Sequence, residues 1–149
     1  MKSLFDTEAY SEIENRLGQL SENSERQWGT MDAAQMLAHC QKPFEIALGK
    51  MTMKRPNLVM RIIFKRMKPM LYNDNLWKPN IPTGQEFKIT DARDFSKEKE
   101  NLSKIAAEFH GERNRSSWAP HPGFGKFTNE QWGQMQYKHL DHHFRQFGV

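Results

Sequence analysis

A single cysteine, Cys40, stands in the 149 residues of this chain. No disulfide can form within the chain, which excludes the stapled frameworks of small secreted domains and points to a reducing compartment. Long apolar runs are missing as well. No stretch approaches the roughly twenty apolar residues that a membrane span requires, and the opening MKSLFDTEAY carries no apolar leader. The expected location is the cytoplasm, with no membrane among the partners. Strand-like alternation is absent too, apart from a brief extended piece expected at Gln85 to Asp91. One further absence is local. Between Glu45 and Asp74 there is no acid, whereas Lys50, Lys54, Arg55, Arg61, Lys65, Arg66 and Lys68 supply seven positive charges. The net charge is +4, so all the excess lies in this segment and the rest of the chain is slightly acidic.

What is present is helical, soft and aromatic, with nine Met, ten Phe and four Trp. The length suits one domain, residues 1–149. Periodicity and punctuation predict a first helix from Thr7 to Leu20, with Tyr10, Ile13, Leu17 and Leu20 on one stripe. A second runs from Met31 to Lys50, with a start signal at Thr30. Pro56 to Tyr72 reads as a short accessory helix with proline in its first turn. A third main helix spans Lys97 to His110, with Gly111 as the residue just past its end. The start of the fourth is the clearest boundary: Thr128 and Gln131 form a capping box, and Phe127 and Trp132 occupy the positions of a hydrophobic staple. Four amphipathic helices of similar length predict an all-α bundle with ligand groups projecting inward.

The fourth helix carries the chemistry. Trp132, Met135, Leu140, Phe144 and Phe147 define an apolar arc, while Gln134, Lys138, Asp141 and Arg145 fall on the opposite, solvated side. His139 and His143 lie inside the apolar arc, four residues apart, so their rings stand one above the other and can share an ion. His142 sits at the edge of the arc. Hydrogen-bonded core histidines are the plain alternative. A third histidine, His39, flanks the apolar arc of the second helix, one turn before Pro43, which removes the hydrogen bond to the His39 carbonyl. Gln136 and Gln146 share the histidine face as outer partners for the rings. His121, in the Pro120 to Gly125 turn, is either an acid/base group at the mouth of the site or an incidental member of a rigid loop. Cys40 reads as a small core residue, with a redox or ligand role as the alternative.

The Gln35-Met-Leu-Ala-His-Cys40 segment after Trp28, the three histidines and the His143-Phe-Arg-Gln146 ending resemble the DinB/YfiT-like superfamily of metalloenzymes. More narrowly, His121-Pro-Gly-Phe-Gly125, Trp132-Gly133 and His139 to Gly148 resemble one of its subfamilies, domain of unknown function 1569. The likeness covers nearly the whole chain. It implies a four-helix bundle with a long crossover between helices two and three, and a divalent metal held by His39, His139 and His143. Some members of the superfamily are similar to transferases that use a low-molecular-weight thiol, others to hydrolases or isomerases. Arg145 stands where the common ending has glycine.

Three neutral imidazoles leave a coordination position open, as in catalytic rather than structural sites. An imidazole set suits several transition metals, with zinc or nickel expected first. The expected function is a metal-dependent enzyme acting on a small-molecule substrate, with thiol transfer ahead of hydrolysis and a non-catalytic metal- or ligand-binding protein as the rival. A homodimer is a further expectation. In the basic segment, Leu58, Val59, Ile62, Ile63, Met67 and Leu71 alternate with the bases in a helical rhythm. That pattern fits a membrane-surface helix, a nucleic-acid patch or a guide for an anionic substrate. The plainest expectation is a solvated face on a helix packed against the bundle. No nucleic-acid-binding motif accompanies the charge, so nucleic acid is not an expected partner.

Overall fold

The computed structural model describes residues 1–149 as an all-helical chain with five α-helices and no strand. In order these are α1 (Thr7–Gln19), α2 (Ala33–Ala47), α3 (Leu58–Met67), 3-10 turns at Lys68–Leu71 and Gln85–Phe87, α4 (Phe95–Gly111) and α5 (Asn129–Gln146). α2 packs most extensively on α4, α1 and α2 both pack on α5, and α1 also meets α4. Ile13 of α1, Leu37 and Phe44 of α2, Phe109 of α4 and Trp132 and Phe144 of α5 meet in one core. No helix is long and apolar enough to cross a membrane.

Local chemistry sets the boundaries. α5 begins as its sequence predicts. Thr128 accepts from the Gln131 N–H, Gln131 Oε1 accepts from the Thr128 N–H, each at 3.1 Å, and the Phe127 and Trp132 rings stack with centroids 4.6 Å apart. The start of α2 differs from the Thr30 expectation. Asp32 is the N-cap, accepting from the Gln35 N–H at 2.8 Å while Gln35 Oε1 accepts from the Asp32 N–H at 3.0 Å. This reciprocal pair satisfies two orphan donors, and so it fixes the start two residues later. α2 runs through Pro43 and ends at Ala47 rather than Lys50, where Gly49 takes a left-handed φ of 75°.

Pro56 lies outside α3 instead of in its first turn. Asn57 is the cap, accepting from the Met60 N–H at 2.9 Å. The helix stops at Met67 because Pro69 has no N–H for the ladder, and the chain tightens into a 3-10 turn. α4 starts at Phe95, behind an Asp94 cap and two residues before the expected Lys97, and Gly111 closes the helix from inside it rather than just past its end. The extended piece expected at Gln85 to Asp91 begins instead with a 3-10 turn.

Two features outside the main helices matter below. The N-terminal segment crosses α5 at Gly133, where the Leu4 N–H donates to the Gly133 carbonyl at 2.9 Å. A Cβ on Gly133 would lie 2.6 Å from the Phe5 ring, so this crossing requires glycine. The second is α3. None of its residues is buried, which corrects the expectation of a helix packed against the bundle. Phe64 anchors it, with a ring 5.1 Å from that of Phe124, and the core is already closed by the other four helices.

Candidate metal centre

α2 and α5 bring three histidines from opposite ends of the chain to one point. The ligand-capable nitrogens of His39, His139 and His143 all lie within 4.8 Å of one another, and all three residues are buried. His39 Nε2 and His139 Nε2 face each other at 3.1 Å. The ring pairs are packed at centroid distances of 4.7 to 5.1 Å.

Outer hydrogen bonds fix which nitrogen points inward. The Phe87 carbonyl, 2.8 Å from His39 Nδ1, can only accept, so Nδ1 carries the proton and Nε2 is bare. Gln146 Nε2 donates to the Trp28 carbonyl at 2.7 Å, which fixes the amide orientation. Its Oε1 therefore accepts from His143 Nδ1–H at 2.7 Å, and His143 also turns a bare Nε2 inward. The Trp28–Gly29 loop comes close enough for this only because position 29 has no side chain: a Cβ there would lie 2.6 Å from Gln146 Nε2, and φ is 81°. His139 differs, since its buried Nδ1 has no partner.

Burial pushes the His39 ring below its ordinary pKa although the Phe87 carbonyl favours its protonated form. His139 is held well below the ordinary value by burial and then by the neighbouring His143 and His39. His143 falls to about 3, again chiefly by burial, with His39 adding and Gln146 opposing. All three are neutral at pH 7, and the bare Nε2 atoms of His39 and His143 share one space with the Nε2 of His139. The facing Nε2 atoms of His39 and His139 suit one divalent ion, because two imidazole nitrogens on an ion at about 2.0–2.1 Å stand roughly 3.0–3.4 Å apart, and the third ligand atom lies within 4.8 Å of both. A cation also relieves the clash of facing lone pairs, which otherwise needs a proton on His139 Nε2.

The surroundings come largely from residues the sequence did not single out. Trp77, on the connection between α3 and α4, lies 6.0 Å from the His139 ring and 5.6 Å from His142, and Trp28 lies 5.7 Å from His142. His142 is buried between the two tryptophans, lowered to about 4 by burial and then by Arg145, and stands outside the three-histidine group. Lys138, expected on the solvated side, is buried. Its ammonium donates to the Met70 carbonyl at 2.8 Å, the Asn73 carbonyl at 2.8 Å and Asn73 Oδ1 at 2.6 Å, using all three donors. This clamp ties the segment carrying Trp77 over the histidines. No sequence periodicity announces it, because the acceptors are mostly backbone carbonyls.

Other candidates are placed elsewhere. Asp141 points away from the histidine face as expected, paired with Arg16 at 2.9 Å and Arg145 at 3.0 Å. Gln136 is fully buried, but neither end of its amide has a partner, so Gln146 alone of the two glutamines holds a ring. His121 packs against Phe124, Phe127 and Trp132. Its Nδ1 accepts from the Gly123 and Phe124 N–H groups at 3.0 and 3.2 Å, and burial first and Lys68 second lower it to about 4. Trp132 is two helical turns, about 10 Å along the axis, from His139. The His121 ring thus closes its own loop rather than joining the histidine group. Cys40 is a core residue whose Sγ lies 3.5 Å from Met36 Sδ, and burial pushes its thiol upward.

The fold and site define a helical protein with a buried three-histidine group suited to a metal ion. The chain matches the model of a family described as a protein of unknown function (DUF1569) over residues 2–148, and it belongs to that family. No curated protein and no solved structure matches it.

Proposed function

We propose that His39, His139 and His143 hold a divalent transition metal, zinc or nickel, as the reactive centre of an enzyme acting on a small molecule. In this reading α1, α2, α4 and α5 are a four-helix bundle of the DinB/YfiT type, with residues 48–94 as its crossover. The observation that carries it is the convergence of three buried, neutral imidazoles, two of them locked by outer hydrogen bonds with their free nitrogens inward.

When bound, the metal supplies Lewis-acid activation of a thiol or water. The protein does the rest. Phe87 and Gln146 hold the rings in one tautomer, and Trp28, Trp77 and Phe87 exclude water. Transfer from a low-molecular-weight thiol ranks ahead of hydrolysis because no carboxylate joins the three-histidine group to act as a base: Asp141 points away from it, tied to two arginines. The close cover over the histidines favours a second reading, a non-catalytic protein that holds a metal or small ligand.

Elemental analysis of untagged protein tests the site. Near one equivalent of metal, lost in each of His39→Ala, His139→Ala and His143→Ala with helicity retained, supports it. No metal after reconstitution with zinc and with nickel would refute it. Turnover of an electrophile with a thiol then separates enzyme from binder.

A further inference from the structure

α3 has more exposed apolar surface than a free face needs. Leu58, Val59 and Ile62 are 68, 65 and 55 % exposed, and Ile63 and Met67 are exposed beside them. At about 100° per residue these five side chains cover roughly half the helix circumference, and Phe64 faces the protein from the other half. Gly123 lets the body come this close, since a Cβ there would lie 2.9 Å from the Phe64 ring. The helix therefore meets the protein through Phe64 on one edge, and its outward face is left open.

The same face is cationic. Lys65 borders the apolar arc, Arg66 lies within it, and Lys54 and Arg55 precede the helix; all four are exposed and none has a carboxylate partner. Lys50 and Lys68 are occupied, by Glu108 and by the Lys126 carbonyl. Within the segment there is no acid to neutralise the remaining bases.

We propose that this face of α3 docks on an anionic lipid surface. Such a partner meets both halves of the pattern. Leu58, Val59, Ile62, Ile63 and Met67 enter the boundary between headgroups and acyl chains, while Lys54, Arg55, Lys65 and Arg66 extend their ammonium and guanidinium groups to the lipid phosphates. A second copy meeting the same face would set unpaired bases against unpaired bases. Nucleic acid would take the bases but leave five aliphatic side chains in water. This is docking on a surface, since no helix is fit to cross a membrane. It stands independently of the histidine site.

The test is co-sedimentation of the full chain with vesicles of phosphatidylcholine, with and without phosphatidylglycerol, at low and high salt. The expected result is binding only to the anionic vesicles, weakened by salt. It should weaken roughly fivefold for each base removed in Lys65→Ala and Arg66→Ala, and vanish in Ile62→Glu/Ile63→Glu. Those side chains are exposed, so circular dichroism and the melting temperature should match the wild type; His143→Ala should bind as the wild type does. Failure to bind anionic vesicles overturns the proposal. So does binding that survives Ile62→Glu/Ile63→Glu, which would mean charge alone acts and would suit nucleic acid. A dimer in sedimentation velocity that this double variant splits assigns the face to a second copy and equally overturns it.

Discussion

α3 and α5 reverse the usual relation between composition and place. α3 holds seven apolar residues in ten and has none buried; α5 is rich in Gln and His and buries two thirds of its residues. Hydrophobicity drives burial only where a partner surface exists. α5 packs against α1, α2 and the covering turn at Lys68–Leu71, where Lys138, His143 and Gln146 find hydrogen-bond partners while Gln136 and one nitrogen each of His139 and His142 do not. α3 reaches the protein after that core is complete. Polar groups kept inside against the hydrophobic effect, and apolar ones kept outside, both indicate work other than folding.

Truncation should separate the two helices most widely. Phe144→Ala, which removes a fully buried α5 ring, is expected to cost about 3–5 kcal/mol in chemical denaturation. A cost under about 1 kcal/mol would mean that the Phe144 ring is not packed in the core. Gln146→Ala comes next. It frees the His143 ring and should weaken metal binding by about 10–100-fold while the fold persists. Unchanged affinity in a metal-competition titration would remove Gln146 from the site.

Acid sharpens the comparison, because buried histidines sit on α5 and none on α3. His142 and His143 are lowered to about 4 and about 3 in the fold, below the unfolded value near 6.5. Between these limits the unfolded chain binds more protons. Stability from the neutral rings is therefore complete above about pH 6.5 and is lost as the pH falls through about 4 toward 3. Urea denaturation of metal-free protein should show a falling midpoint over that range; a flat profile would contradict the neutral assignment. The smallest effect is expected on α3, where Ile62→Glu should change stability by no more than about 0.5 kcal/mol.

The sequence revealed the parts of this molecule that depend on local chemistry. The α5 start was legible because Thr128, Gln131, Phe127 and Trp132 make their contacts within one turn. His139 and His143 were legible because helical spacing places them together, whereas His39 reached the site reading through resemblance as much as pattern. The covering segment was not legible. Lys138 was assigned to solvent because one apolar arc was assumed, but the chain after α3 folds back and buries a second face of α5 through carbonyls that any sequence has. Trp77 and the Phe87 carbonyl belong to the same segment. The open face of α3 is one of several readings of its sequence for the converse reason: amphipathic rhythm specifies a face, and only the assembled core shows whether anything covers it.

The central claim is that the polar interior of α5 is a metal site. X-ray absorption at the metal edge of zinc- or nickel-reconstituted protein tests it most directly. The account predicts three imidazole nitrogens at about 2.0–2.1 Å in the wild type, and no metal retained by His143→Ala after the same reconstitution. A first shell without imidazole, or one identical in the wild type and His143→Ala, would contradict it.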